Sequence, residues 1–270
     1  MRQPIILSLL ALLTAACSDE IDFDYDSISP LPVIEAYVEG GGVRVSITTT
    51  RDVTDSARNH YVSDAQVLLT GPGGAEYSVP YVGDGIYSRS GVSCVAGGVY
   101  TLSVGIGGET YVATDTMAMA PEVRKSGFMW EEFIGNDIVS YRYTVMTPAD
   151  SLTYYVLTMK VNGKAYNWKD FSNYSAYDGL IEGRLICFSR DDLEGKDDSS
   201  PEDVIHDGDK VEVSIAGISR RASDYYEALD LSGSTNANPA WSFSGRALGI
   251  FAARSVVRLP DVTFSIADVE

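Results

Sequence analysis

The strongest constraint on this chain is a repeated local pattern: short runs in which apolar and polar residues alternate one for one, broken by glycine-bearing pairs. Val43, Val45 and Ile47 alternate with Arg44, Ser46 and Thr48. Tyr100, Leu102, Val104 and Ile106 alternate with Thr101, Ser103 and Gly105. A pleated strand sends successive side chains to opposite faces, so this period buries one face and wets the other. The interruptions Gly73-Gly74 and Gly107-Gly108 read as turns, and Asp84-Gly85 as a two-residue hairpin, since these residues tolerate a left-handed backbone. With Val33–Glu39, Ala65–Thr70, Glu76–Val79, Thr110–Thr116 and a strand leaving the Asp84-Gly85 hairpin, the pattern gives seven short strands in about 90 residues. That density predicts an immunoglobulin- or fibronectin-like β-sandwich over residues 31–121. The 17 tyrosines and 25 glycines, with many Val, Ile and Thr, favour strands and tight turns over helices.

Met117–Pro121 reads as a boundary, because Pro121 cannot continue a paired strand. The pattern restarts at Ile138–Met146. Leu152–Val161 is apolar on both faces, which predicts a central strand, and Asn162-Gly163 predicts the hairpin after it. Leu185–Ser189 and Lys210–Ile218 are further strands, and Ala247–Val257 and Val262–Ile266 are expected to close this domain. One short helix is predicted at Asp224–Leu231, with Asp224 as cap, Glu227 completing a capping box and Gly233 just beyond the end. Tyr225, Tyr226 and Leu229 are the residues expected to pack it on the sheet. The fold class is therefore mainly all-β: an N-terminal sandwich and a β-rich C-terminal domain (122–270) with one short helix.

Residues 1–16 have the form of an export leader. Arg2 supplies the positive start, and Ile5–Ala16 is an apolar stretch too short to span a bilayer, which needs roughly 20 residues. Leu13-Thr14-Ala15-Ala16-Cys17 resembles the lipobox of bacterial lipoproteins, with Thr14 where an aliphatic residue is usual. Cys17 is accordingly the expected lipid attachment site, and a covalent diacylglycerol there, with further acyl chain, gives a stable anchor. No other cofactor is expected. Residues 17–30 form an acidic tether, in which Ser18-Asp19-Glu20 resembles the surface-export signal of Bacteroidota lipoproteins. Asp22, Asp24 and Asp26 have the spacing of a calcium loop, but Ser27 stands where that loop needs glycine and Val33 where it needs glutamate.

The chain has 38 acidic against 20 basic residues, a formal charge of −18, which repels phosphate backbones and excludes nucleic acid as a partner. Of the three cysteines, Cys94 and Cys187 remain beside Cys17. An exported compartment permits a bridge, while their separation and lack of motif favour free thiols. His60 and His206 are the only histidines. No nucleophile elbow, P-loop or dinucleotide fingerprint is present, so no enzyme and no catalytic residue is expected. Two stretches hold the remaining interest. Tyr166, Trp168, Phe171, Tyr174 and Tyr177 place five aromatics in twelve residues among polar neighbours, either a ligand-binding loop or a loop pinned by its own rings. Asp191–Asp209 holds nine acidic residues and one lysine, a solvated loop or an oxygen-rich cation site.

The order of features resembles the Bacteroidota lipoproteins known as the domain of unknown function 4249 family. The resemblance is carried by the lipobox, Val33–Glu39, the Gly98-Val99-Tyr100-Thr101-Leu102 and Gly107–Tyr111 steps, and Asn238-Pro239 before Gly249-Ile250-Phe251 and Ala253. Ser244-Gly245-Arg246-Ala247 departs from the family's glycine-rich lead-in. The resemblance implies an accessory surface protein, often encoded beside TonB-dependent outer-membrane transporters, and brings no ligand or catalytic residues with it. The expected function is a lipid-anchored, surface-exposed outer-membrane binding module that works with such a transporter in nutrient uptake. A structural or fimbria-like adhesive protein is the alternative, and a glycan or peptide hydrolase a distant third.

Overall fold

A computed structural model describes residues 29–51, 60–166, 171–196, 204–235 and 242–270; at 148–151, 171–178 and 232–235 it describes the backbone alone. Cys17, most of the tether, Trp168, Asn238 and Pro239 lie outside the described residues.

The first half folds as the alternation requires. Strands β1 (Pro32–Glu39), β2 (Gly42–Thr49), β5 (Tyr81–Gly83) and β6 (Ile86–Ser90) lie in one sheet, and β3 (Gln66–Thr70), β4 (Glu76–Ser78), β7 (Val99–Ile106) and β8 (Glu109–Thr116) in a second. Their inward residues form one core, with Ile34, Val45, Ile47, Leu69, Leu102 and Val104 fully buried. Two tyrosines cross that core with their hydroxyls satisfied. Tyr87 accepts from the Ala65 amide at 2.9 Å and donates to the Val62 carbonyl at 3.1 Å. Tyr100 accepts from the Val95 amide at 2.8 Å and donates to the Ser93 carbonyl at 2.6 Å. The Asp84-Gly85 turn has φ of 47° and 71°, the two-residue hairpin geometry expected of that pair.

The second half is organised by one long strand. β10 (Asn136–Val161) pairs along one edge first with β9 (Glu122–Phe133) and then with β13 (Lys210–Ile218). Its other edge pairs with β12 (Phe171–Ser189) and β11 (Lys164–Ala165). The doubly apolar stretch 152–161 is thus a central strand, as its composition demands. Pairing with β12 shifts register between Thr147 and Leu152, around Pro148, whose missing amide cannot join a ladder. One face of this sheet carries Tyr143, Leu157, Met159 and Ile215, which with Phe264 of the C-terminal segment form a second core.

The helices differ from expectation. A short turn α1 (Arg190–Leu193) follows Ser189, which forms a capping box with Asp192. The longer helix α2 spans Arg220–Thr235 and begins four residues before Asp224. Ser219 is its cap: the Ser219 hydroxyl accepts from the Ala222 amide at 3.2 Å. Asp224 is inside the first turns, 3.9 Å from exposed Arg220, and Gly233 lies within the helix rather than past it. Tyr225, Tyr226 and Leu229 do pack inward.

The largest departure concerns the C-terminal segment expected to close the second domain. It divides between two sheets. β14 (Leu248–Ala253) pairs in parallel with β1, completing the sandwich, while β15 (Ser255–Arg258) pairs with β13, to which the short β16 (Val262–Thr263) also pairs. Phe251 and Ala253 belong to the sandwich core; Ile250 and Ala252, on the opposite face, join α2, Val156, Ala216 and Ile218 in a third core shared by both lobes. β14 approaches β1 so closely that a Cβ at Gly249 (φ +101°) would overlap the Ile34 carbonyl. At the same junction buried Asp115 accepts from the Ala253 amide at 2.9 Å, and the Ser255 hydroxyl donates to the Ala118 carbonyl at 2.6 Å.

Gly249→Ala combines a left-handed backbone with that overlap, so we expect a loss of about 2–4 kcal/mol, read by urea unfolding; a change within error would contradict the tight β1–β14 approach. Burial raises the Asp115 carboxyl above its ordinary value, partly offset by the Ala253 amide and Ser219. The folded chain therefore holds this proton more tightly than the unfolded chain. The associated stability is present below the unfolded aspartate pKa and is lost as pH rises through the folded value. Asp115→Asn keeps an acceptor for Ala253 without the charge, so its melting temperature should gain on wild type between about pH 4 and pH 7; a flat difference would refute the assignment. Cys187 is buried, its thiol pushed up to about 12 by desolvation, whereas Cys94 is partly exposed. A thiol reagent at mildly alkaline pH should label Cys94 in the folded protein and reach Cys187 only on unfolding; rapid labelling of Cys187 in the native state would count against its burial.

Candidate functional site

Where it is described, the aromatic segment is not an open loop. Tyr166 is 2% exposed and its hydroxyl donates to the Cys187 carbonyl at 2.8 Å, so the ring is part of the second core. A side chain so enclosed cannot meet a solute, which removes Tyr166 from the binding residues. Trp168 lies outside the described residues. From Phe171 onward the chain is strand: Phe171, Tyr174 and Tyr177 occupy β12 opposite Thr158, Tyr155 and Leu152 of β10.

The described ends of the acidic stretch are also structural. Asp192 closes the α1 cap, Asp209 accepts from the His206 amide and the Asn162 side chain at 2.8 Å each, and Asp207 accepts from the Ile266 amide at 2.6 Å. Burial would raise the Asp209 carboxyl, but these hydrogen bonds hold it below the ordinary value. Among the described residues, no group of three His, Cys, Asp or Glu side chains converges to hold a metal ion.

Two sizeable concavities lie among the described residues. The first, about 470 Å³, lies between β9, the first half of β10 and the segment 259–270. Its aromatic rings meet one another: Phe128 stacks edge-on against Tyr141 and Phe264, with centroids 5.1 and 4.9 Å apart. Its rim charges are paired, Lys125 with Glu270 at 3.3 Å and Arg142 with Glu182 at 3.2 Å.

The second, about 600 Å³, opens between the lobes. One wall is the outer face of β1, where alternation places Glu35, Tyr37 and Glu39 opposite to the buried Ile34, Ala36 and Val38. The other wall is the face of the second sheet that points away from its core. Strand register arranges that wall in rows: Val156, Ala216 and Val256 nearest the joint, then Thr158, Ser214 and Arg258, then Lys160 beside Glu212. The surface grades from apolar through hydroxyl to charged. Thr158 and Ser214 share a hydrogen bond of 2.7 Å.

At the cleft's end sits Arg254, the residue between β14 and β15. Its Nε donates to Glu39 at 2.7 Å, its Nη1 to the Tyr226 hydroxyl at 3.1 Å, and its guanidinium lies 3.9 Å over the Tyr37 ring. The Arg254 amide also donates to the Val38 carbonyl at 2.9 Å. These contacts neutralise a nearly buried cation and clamp β1, α2 and the sheet crossover together.

Glu35 is different. It is open to solvent, yet no cation pairs with it among the described residues, and desolvation raises its carboxyl above the ordinary value. Lys160 and Arg258, exposed on the facing wall, likewise lack an ion-pair partner among the described residues. The inter-lobe cleft therefore offers uncommitted charge of both signs beside an apolar surface, the combination that fixes and orients a small ligand. The aromatic pocket, whose rim cations Lys125 and Arg142 are both paired, offers no such combination. Sequence reading placed Glu35 and Glu39 in the Val33–Glu39 strand without singling either out. The available signal was Tyr37 between them, a large ring on a face nominally given to water.

No curated protein matches the sequence. Solved structures with some likeness include a chain of a cytokine receptor complex, 13% identical, with TM-score 0.25, covering 71% of this chain and 92% of that one. A DUF4785 family protein from Legionella pneumophila is 11% identical, with TM-score 0.22, covering 68% of this chain and 52% of that one. The chicken interferon gamma receptor alpha chain is 8% identical, with TM-score 0.18, covering 71% and 90%. A family model, by contrast, matches residues 18–253, nearly the whole of the chain beyond Cys17. The chain belongs to the family described as domain of unknown function DUF4249.

Proposed function

We propose that this protein is a surface-exposed outer-membrane lipoprotein, anchored through Cys17, that captures a small ligand for a TonB-dependent transporter in nutrient uptake. The observation that carries the binding role is the inter-lobe cleft, with Glu35, Lys160 and Arg258 uncommitted around an apolar and hydroxyl-bearing wall. The lipobox-like Leu13–Cys17 and the acidic residues after it support the anchor and its outward face. A pair of lobes on a tether suits capture and hand-over of a ligand.

A second reading, a structural or adhesive surface protein, draws on β12. Among the described residues this 19-residue strand pairs along one edge only, with β10. An unpaired edge is a template for strand addition.

Expression of the full chain with its leader in a Bacteroidota host distinguishes the two. The capture reading expects a diacylglycerol-modified Cys17 by mass spectrometry, loss of the protein from intact cells on protease shaving, and recovery of a transporter barrel after gentle crosslinking. An unmodified Cys17, or a lipoprotein recovered without any barrel, would overturn it; SDS-resistant polymers abolished by a proline in β12 would establish the adhesive alternative.

A further inference from the structure

The ligand's chemical class can be read from the cleft, and this step rests on the capture reading above. The wall formed by β1 presents one carboxylate, Glu35, without a cation partner among the described residues. Its neighbour along the strand, Glu39, is already committed to Arg254. The wall formed by the second sheet presents Lys160 and Arg258, which no carboxylate pairs with among the described residues. Glu212 and Asp261, the acids on that wall, are held by Lys210 at 3.7 and 2.9 Å. Counting these partners, the β1 wall sets two carboxylates (Glu35, Glu39) against Arg254, and the facing wall sets Lys160, Arg258 and Lys210 against Glu212 and Asp261, so one wall is net anionic and the other net cationic.

A ligand of one sign would satisfy one wall and be repelled by the other. A neutral apolar ligand would leave three charges desolvated without compensation, which is costly. What neutralises both walls is a solute with an ammonium at one end and a carboxylate at the other. In the same row as Arg258 lie Thr158 and Ser214, hydroxyls suited to amide groups, and next to them the apolar row of Val156 and Val256. The volume of about 600 Å³ falls within the range for small-ligand sites and leaves room for more than one amino-acid residue.

We propose that the inter-lobe cleft is a binding site for short unblocked peptides, with the peptide ammonium on Glu35 and the terminal carboxylate on Lys160 and Arg258. Charge-assisted hydrogen bonds at both termini orient the chain, and hydroxyls along the second wall meet its amides.

The test is calorimetric titration of the detergent-solubilised full chain with trialanine, N-acetyl-trialanine and trialanine amide. Unblocked trialanine should bind, and each blocked peptide should bind at least about tenfold more weakly. Glu35→Gln should weaken trialanine by a similar factor while leaving N-acetyl-trialanine unchanged; the pair Lys160→Met and Arg258→Met should do the same for trialanine against its amide. All three residues are exposed, so folding is checked by unchanged melting temperatures. No heat with trialanine, or equal affinity for the three peptides, would overturn the assignment. Transporter recovery after crosslinking is scored separately with the same Glu35→Gln protein. If the barrel is recovered but trialanine fails to bind wild type, the peptide assignment falls and the capture reading stands; if the barrel is absent, it is the capture reading that falls.

Discussion

Arg254 stands where one stretch of chain leaves the sandwich and enters the second sheet, and the arrangement of both lobes depends on how its charge is met. A cation nearly out of water needs compensation from groups fixed in place. Glu39 supplies a carboxylate from the end of β1, Tyr226 a hydroxyl from α2, and Tyr37 the face of a ring. Each partner comes from an element built for another reason: β1 is the sandwich's first strand, and α2 roofs the shared core. The ion cluster therefore reports that three elements are correctly placed at once.

The cleft follows from this joint. Because β14 must pair with β1 and β15 with β13 within a single unbroken segment, the outer face of one sheet is brought against the outer face of the other. Near the crossover the faces meet and exclude water through Val156, Ala216, Ile250 and Ala252. Farther along they diverge, since twisted sheets cannot stay in contact over their full length. The gap is a geometric consequence of the crossover, and the residues lining it are those that alternation sends away from the two main cores. Glu35 gains its unusual setting because its strand partner Ile250 belongs to the shared core, whose nearness desolvates the carboxylate.

Much of this was legible from local pattern. Asp84-Gly85 and Asn162-Gly163 turn as their residue types require, and the one-for-one alternation of Val43–Thr48 and Tyr100–Ile106 marks which side chains are buried. The failures have physical causes. β9 and its hairpin to β10 were missed because the turn is Ile134-Gly135, with a β-branched residue at φ +52°, a conformation that local propensity disfavours. The helix start was misplaced because Asp224 offered an acceptable cap, while Ser219 was set in place by the end of β13. The pairing of β14 with β1 joins residues more than 200 positions apart, and no local signal specifies a parallel partner at that distance. The aromatic run from Tyr166 was read from composition, which cannot tell a ring anchoring a core from one awaiting a ligand. The cleft was invisible for the same reason as β14: it exists only between elements distant in sequence.

Held at Arg254, the two lobes form one cooperative unit. Differential scanning calorimetry of wild type and Arg254→Ala tests it most directly. A single transition in wild type, with matching calorimetric and van't Hoff enthalpies, and two separated transitions in the variant are the predicted outcome. Two transitions in wild type, or a variant that still melts as one unit at the same temperature, would contradict it.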